Sequence, residues 1–244
     1  MTEREGGPVD AKRLASITVF FPFYNEQANV ERVAQRAMEV LEGLDCDYEV
    51  IMVDDGSTDE TGLIADRIAA EHERVRVIHH PRNLGYGSAL QSGFRAAGKE
   101  LVFYTDGDAQ FDIAEMPALL PLMEDYDIVS CYRIDRKDSI VRAVGGRLWT
   151  RINGWLFSLR IRDVDCAFKL YKRKIFDDIE MESTGALIDT EILARAKRKG
   201  YRIAQQGVHH YPRTAGTQTG ANPRVVFRAF KELWRLRRRI MNER

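Results

Sequence analysis

Cysteine is scarce in this chain. The three present, Cys46, Cys131 and Cys166, are odd in number and show no C-x-x-C spacing, which excludes a disulfide framework and a cysteine-rich zinc site and points to a reducing compartment. Net charge is lacking as well: 37 basic residues balance 37 acidic ones, so no overall field draws the molecule onto nucleic acid. No apolar run reaches the roughly 18 residues that span a bilayer, and "MTEREGGPVDAKR" has no apolar signal-peptide core. The expectation is a cytoplasmic protein whose membrane contact is peripheral. Two common nucleotide motifs are missing too. "GYGSAL" lacks the third glycine of G-x-G-x-x-G, and no G-x-x-x-x-G-K-[ST] occurs, which removes the dinucleotide-dependent dehydrogenases and P-loop NTPases. "HERVR" at His72 has no second histidine for a metalloprotease.

What is present reads as one soluble α/β domain with an appended tail, in a chain of 244 residues that is 44% hydrophobic and 30% charged. "SITVFFPFY" is a buried strand, and Val30, Val33, Ala34, Ala37, Met38 and Leu41 recur at helical spacing after it. "YEVIMVDD" is a second strand, followed by Ser57 to Glu60, whose capping-box spacing predicts the start of a helix through Ala70. "VRVIHH", a helix through Ala97 and the strand "ELVFYTD" continue the alternation. Strands alternating with helices imply a mostly parallel sheet with right-handed crossovers. Such sheets bind ligands outside the carboxyl ends of their strands, where "FPFYNE", "DDGSTD" and "TDGDAQ" all fall. In the second half, "YDIVSCYR", "CAFKLYKR" and "YRIAQQGV" read as strands, while Ser139 to Leu159 and "DTEILARAKRKG" read as helices.

Side chains alternate along an extended segment, so Asp106 and Asp108 point to one side, and Gln110 joins them if the extended course continues. Oxygen donors alone suit a hard divalent ion such as Mg²⁺ or Mn²⁺, shared with substrate phosphates. The plainer alternative is a polar turn at Asp-Gly. Asp54 or Asp55 is placed to accept hydrogen bonds from a base or ribose, and the ring in "FPFYNE" to stack on a base. From Arg224 to Arg244 eight basic residues stand against Glu232 and Glu243, which makes the end of the chain a separate electrostatic object.

Six motifs in order, "FPFYNE", "VDDGSTDET", "NLGYGSALQSGF", "TDGDAQ", "DVDCAFKLYKR" and "YPRTAGTQ", resemble those of the family 2 glycosyltransferases, and within them the dolichol- and polyprenyl-phosphate mannose or glucose synthases. The match runs from Ile17 to Thr219. It implies a type-A glycosyltransferase fold over residues 16–219, after a flexible stretch at 1–15 and before a basic amphipathic tail at 220–244. It also implies an inverting transfer of a hexose from a nucleotide sugar, GDP-mannose first and UDP-glucose second, with Mg²⁺ or Mn²⁺ as cofactor and a polyprenyl phosphate as acceptor. By the same resemblance, Pro22, Tyr24, Glu26, Val53 and Asp55 hold base and ribose. Asp106, Asp108 and Gln110 bind the metal, with Gly107 part of the donor site, and Arg133 and Arg213 contact phosphate.

The chain departs from the family's pattern at "DVDC", where both Asp163 and Asp165 are candidates for the acceptor-side carboxylate and Asp163 fits the register better; the plainer alternative ties that carboxylate to Arg160 or Arg162. Arg213 and Asp108 complete the catalytic candidates. The membrane-spanning helices of many such synthases have no counterpart. In their place "PRVVFRAFKELWRLRRRIM" carries Val226, Phe227, Phe230, Leu233, Trp234 and Ile240 as an apolar stripe among arginines, the pattern of a helix lying in an anionic membrane interface across residues 223–241 or packing on the domain or on a second subunit. The rival readings are the same donor chemistry on a hydroxyl acceptor, which needs a general base, and a nucleotide-sugar-binding protein without turnover.

Overall fold

The computed structural model describes residues 16–134, 140–213 and 223–242. Within them, seven strands form one sheet in the order β3-β2-β1-β4-β7-β5-β8, where β1 is Ile17–Phe23, β2 Tyr48–Asp54, β3 Val75–His79, β4 Leu101–Thr105, β5 Ile128–Ser130, β7 Phe168–Lys172 and β8 Ile203–Ala204. The pairs β1–β2, β1–β4, β2–β3 and β5–β8 are parallel, while β7 runs antiparallel to both β4 and β5. The sheet is therefore mostly parallel, with one reversed strand in its middle. A second sheet pairs β6 (Tyr132–Ile134) with β9 (Gly207–His209).

Helices α1 (Val30–Glu42), α2 (Thr61–Glu71) and α3 (Tyr86–Ala96) provide the crossovers of the first half. The six apolar positions whose spacing predicted α1 are its six buried residues. Phe21, Phe23, Val50 and Met52 join α1 in one core layer, whereas Phe20, Ile51, Val53, Leu90 and Phe94 form the other with α3. Strand alternation is what deals successive residues of β1 to opposite layers.

Ser57 does not cap α2. Its hydroxyl accepts from the Asn25 amide, and the helix starts four residues later at Thr61, whose amide is taken by Asp59. The expected capping box fails because a tertiary partner from the first loop outcompetes the local one. "YDIVSCYR" is two strands rather than one: Cys131 N–H donates to Phe168, in the large sheet, and Tyr132 N–H to Gln206, beside the small one. The same split divides "YRIAQQGV" into β8 and β9. Between β4 and β5 lies a 3-10 helix, Ile113–Glu124, that includes Pro117 and Pro121, a segment that apolar periodicity alone did not reveal.

The second half adds α4 (Ile140–Phe157), α5 (Ile175–Asp178), α6 (Ile188–Arg198) and α7 (Pro223–Asn242). Leu233, Leu236 and Ile240 of α7 are buried in the α3-side core, Arg237 donates to the Leu156 carbonyl, and Trp234 stays half exposed. Of the expected apolar stripe, Leu233 and Ile240 therefore pack on the domain, with Leu236 beside them. The side chains of Val226, Phe227 and Phe230, the start of the expected tail at 220–222 and the stretch 1–15 lie outside the described residues. No described helix is long and apolar enough to cross a membrane.

Candidate active site

The carboxyl ends of β1, β2 and β4 open onto a cleft of about 530 Å³. Pro22, Tyr24 and Glu26 line it from the end of β1, Asp55 from the end of β2, Asp106, Gly107 and Asp108 from the end of β4, and Arg213 from the segment after β9. Eight of the residues expected at the site thus share one cavity. Gly107 has a steric reason to be glycine: a Cβ there would sit 2.3 Å from the Phe23 ring and 2.9 Å from the Pro22 carbonyl oxygen. The loop carrying both aspartates can reach the first strand only without a side chain at this position.

Asp106 is pushed up to about 7 by burial and by the neighbouring Asp108 charge. Tyr86, which the sequence offered only within the motif "NLGYGSALQSGF", donates its hydroxyl to Asp106 Oδ1 at 2.9 Å. Arg213 is paired with Glu26 and comes within 3.6 Å of Asp108 Oδ2. Glu26 is itself raised, chiefly by burial, despite the 2.6 Å bond from Asn29. One guanidinium therefore faces two carboxylates across the floor of the cleft.

Asp55 lines the cleft, but its carboxylate accepts from the amides of Leu84 and Gly85, each at 2.9 Å, and meets His80 Nδ1 at 2.6 Å. It organises the loop that opens α3. Asp54 does similar work, accepting from the Ser57 amide and meeting His79. Val53 is fully buried inside β2, so its side chain is off the cleft. Gln110 does not join the aspartates. Ala109 adopts a left-handed φ of 58°, which ends the extended course, and the Gln110 amide donates instead to the Tyr211 carbonyl at 3.0 Å. That bond ties the aspartate loop to the segment bearing Arg213.

Arg133, Asp163 and Asp165 are not among the cleft-lining residues. Arg133 makes a two-pronged pair with Asp163, at 2.7 and 2.9 Å, a partner the sequence did not suggest for that carboxylate. Asp165, in contrast, has no hydrogen-bond partner among the described residues. It is pushed up to about 6 by burial, then by Asp189 and Asp163. Beneath it, Lys169 is fully buried and donates to Asp189 at 2.7 Å. Asp189 belongs to α6, where Thr190, Glu191 and Arg195 are buried as well. So many polar residues on the inner face of a helix were the available signal for this cluster, and sequence reasoning missed it.

Among the described residues no three His, Cys, Asp or Glu side chains cluster as a complete metal cage. Asp106 and Asp108 still fit a hard cation. They are two oxygen donors held close enough for one to raise the other's pKa, with room in the cleft for phosphate oxygens and water to complete the shell.

A parallel sheet with an acidic cleft at its carboxyl edge defines an α/β protein of the nucleotide-binding kind. The profile of Glycosyl transferase family 2 matches residues 18–180, and the chain belongs to that family. Glycosyltransferase AglD of Haloferax volcanii is 33% identical over 224 residues, covering 87% of this chain and 35% of AglD. An undecaprenyl-phosphate 4-deoxy-4-formamido-L-arabinose transferase of Aeromonas hydrophila is 33% identical over 163 residues, covering 66% of this chain and 50% of the relative. The chain thus spans half or less of the length of these relatives. Among solved structures, glucosyl-3-phosphoglycerate synthase from Mycobacterium tuberculosis with Mn²⁺ and UDP-glucose superposes with a TM-score of 0.63 at 20% identity, covering 93% of this chain and 77% of that one. Mannosyl-3-phosphoglycerate synthase from Rubrobacter xylanophilus gives 0.68 at 17%, covering 92% and 73%. The fold is that of the type-A glycosyltransferases.

Proposed function

We propose that the protein transfers a hexose from a nucleotide sugar to a polyprenyl phosphate, with inversion at the anomeric carbon and with a divalent cation held by Asp106 and Asp108. The observation that carries this reading is the convergence of both carboxylates, Glu26, Tyr24 and Arg213 on one cleft at the sheet's carboxyl edge. The Mn²⁺ and UDP-glucose in a structural neighbour and the undecaprenyl phosphate in a relative's name support it. We assign residues 16–219 to catalysis. GDP-mannose is the first donor to test and UDP-glucose the second.

In this reading Pro22 and Tyr24 border the base, while Asp55 acts by shaping the loop from His80 to Gly85. Arg213 exchanges Glu26 for the leaving diphosphate, where a guanidinium stabilises charge as the glycosidic bond breaks. The cation, when bound, supplies further neutralisation of the diphosphate. Gln110 holds the Arg213 segment against the aspartate loop instead of binding metal. A phosphate acceptor is already anionic and needs orientation and charge relief rather than deprotonation. Arg133, fixed by Asp163, is the cation that stands beside Asp165 on the acceptor side. One observation favours the rival hydroxyl acceptor: Asp165 is an unpaired, raised carboxylate of the kind a general base requires. The basic face of α7, with Trp234 exposed, is proposed to rest on an anionic membrane surface at the cytoplasmic side.

The test incubates the protein with Mg²⁺ or Mn²⁺, polyprenyl phosphate and radiolabelled GDP-mannose or UDP-glucose in parallel, and counts organic-extractable label with Asp108→Asn as control. Label from one donor, lost in the control, is the expected result. Metal-dependent donor hydrolysis without extractable label moves the acceptor to a hydroxyl compound, and neither activity refutes the reading.

A further inference from the structure

The cleft floor continues inward as a line of buried polar groups. Tyr86 donates to Asp106 Oδ1 at 2.9 Å, and the Tyr104 hydroxyl is among the groups that act on its hydroxyl. Tyr104, fully buried in β4, donates to Asp189. Lys169 Nζ donates to Asp189 at 2.7 Å, to the Tyr104 hydroxyl at 3.1 Å and to the Cys166 carbonyl at 2.6 Å. Four secondary-structure elements, α3, β4, β7 and α6, each contribute one member. The rings are clamped: Tyr104 stacks on Phe20 at 5.6 Å and meets Phe94 edge-on at 5.5 Å.

A buried ion pair between Lys169 and Asp189 is weak evidence for stability, because desolvation offsets much of the attraction. Core stability alone therefore does not account for it, which directs attention to what it touches. It touches one thing of chemical interest, the hydroxyl line ending on Asp106. Lys169 is also among the charges felt by Asp106 and by Asp165. The neighbouring Tyr171 provides the contrast. It is another fully buried tyrosine in the same aromatic cluster, and its hydroxyl has no hydrogen-bond partner among the described residues.

We infer that Tyr86 is a positioning residue for the cation site, holding the Asp106 carboxylate in its metal-facing orientation, and that the Tyr104, Lys169 and Asp189 cluster behind it sets the electrostatic surroundings of that carboxylate. The inference rests on the proposed role of Asp106 and Asp108 as cation ligands. Groups that orient metal ligands in this way change metal affinity by roughly 10- to 100-fold when removed.

The experiment measures Mn²⁺ binding by electron paramagnetic resonance, with UDP or GDP present, for the wild type and for Tyr86→Phe, Tyr104→Phe, Tyr171→Phe and Asp106→Asn, with thermal melting of each as a check on folding. Tyr86→Phe is expected to weaken Mn²⁺ binding by about tenfold or more, Tyr104→Phe by less, and Tyr171→Phe not at all, although all three delete the same buried atom. Where transfer is measured, saturating Mn²⁺ should restore kcat in Tyr86→Phe, a recovery that a general loss of structure would not give. Equal Mn²⁺ affinity in wild type and Tyr86→Phe, with Asp106→Asn defective, overturns the positioning role while leaving the cation site standing. Wild-type protein that binds no Mn²⁺ with either nucleotide overturns the cation site and this inference together.

Discussion

Asp165→Asn is expected to make the protein more stable, and its effect on transfer separates the two acceptors: transfer to a polyprenyl phosphate should survive it, whereas transfer to a hydroxyl acceptor should be lost. The Asp165 carboxyl is raised from the ordinary 3.8 to about 6 by burial and by Asp189 and Asp163, so the folded state binds its proton more tightly than the unfolded state does. Stability from this group is present below pH 3.8 and is lost as pH rises through about 6. Two pKa units correspond to about 2–3 kcal/mol, the full deficit at pH 8. The amide cannot ionise, so the variant should exceed the wild type by about that amount at pH 8, a rise of several degrees in Tm for a chain of this size, and match it near pH 4. Thermal melts at the two pH values read the difference directly. A variant that is equal or less stable at pH 8 would show that Asp165 has a partner in solution, and the argument that it is kept for its chemistry would fail. A gain in stability with loss of transfer would be the trade of a strained functional carboxylate and would favour the hydroxyl acceptor.

Asp108→Asn should abolish Mn²⁺-dependent nucleotide-sugar binding in calorimetry, and unchanged affinity would remove it from the cation site. Gly107→Ala meets both the Phe23 ring and the Pro22 carbonyl oxygen at under 3.0 Å, so it should cost about 1–3 kcal/mol in denaturant unfolding and weaken donor binding as the aspartate loop shifts. Removing residues 224–244 would strip Leu233, Leu236 and Ile240 from the core, so the membrane reading is better tested by Trp234→Ala with Arg238→Ala. Sedimentation with anionic liposomes should show less pelleting at unchanged Tm, each lost cation costing about 1 kcal/mol of binding, and equal pelleting would refute it.

The first half of the molecule was legible because its signals are local. The β-branched strands and the α1 periodicity each state their own answer, and strand alternation then delivers Asp106, Asp55 and Glu26 to one sheet edge without further information. The failures have a common physical cause. Gln110 departed from the aspartates at a single left-handed residue, Ala109, which carries no glycine or asparagine signal. Ser57 was claimed by Asn25 across the site, 32 positions away in sequence. Spacing supplies the expected local partner and is silent about a tertiary competitor.

The acceptor side shows the same limit at its strongest. Sequence register favoured Asp163 over Asp165, since both stand before Phe168 and nothing between them distinguishes their environments. Folding does distinguish them. The chain changes sheets at Cys131, which brings Arg133 against Asp163 and leaves Asp165, two residues on, without a hydrogen-bond partner among the described residues. A carboxylate in a two-pronged pair with arginine is held in place and is a poor proton acceptor, whereas an unpaired buried one is reactive at a cost in stability. The difference between the two aspartates therefore follows from which one the arginine reaches: Asp163 is held against Arg133, and Asp165 is the one we propose to face the acceptor.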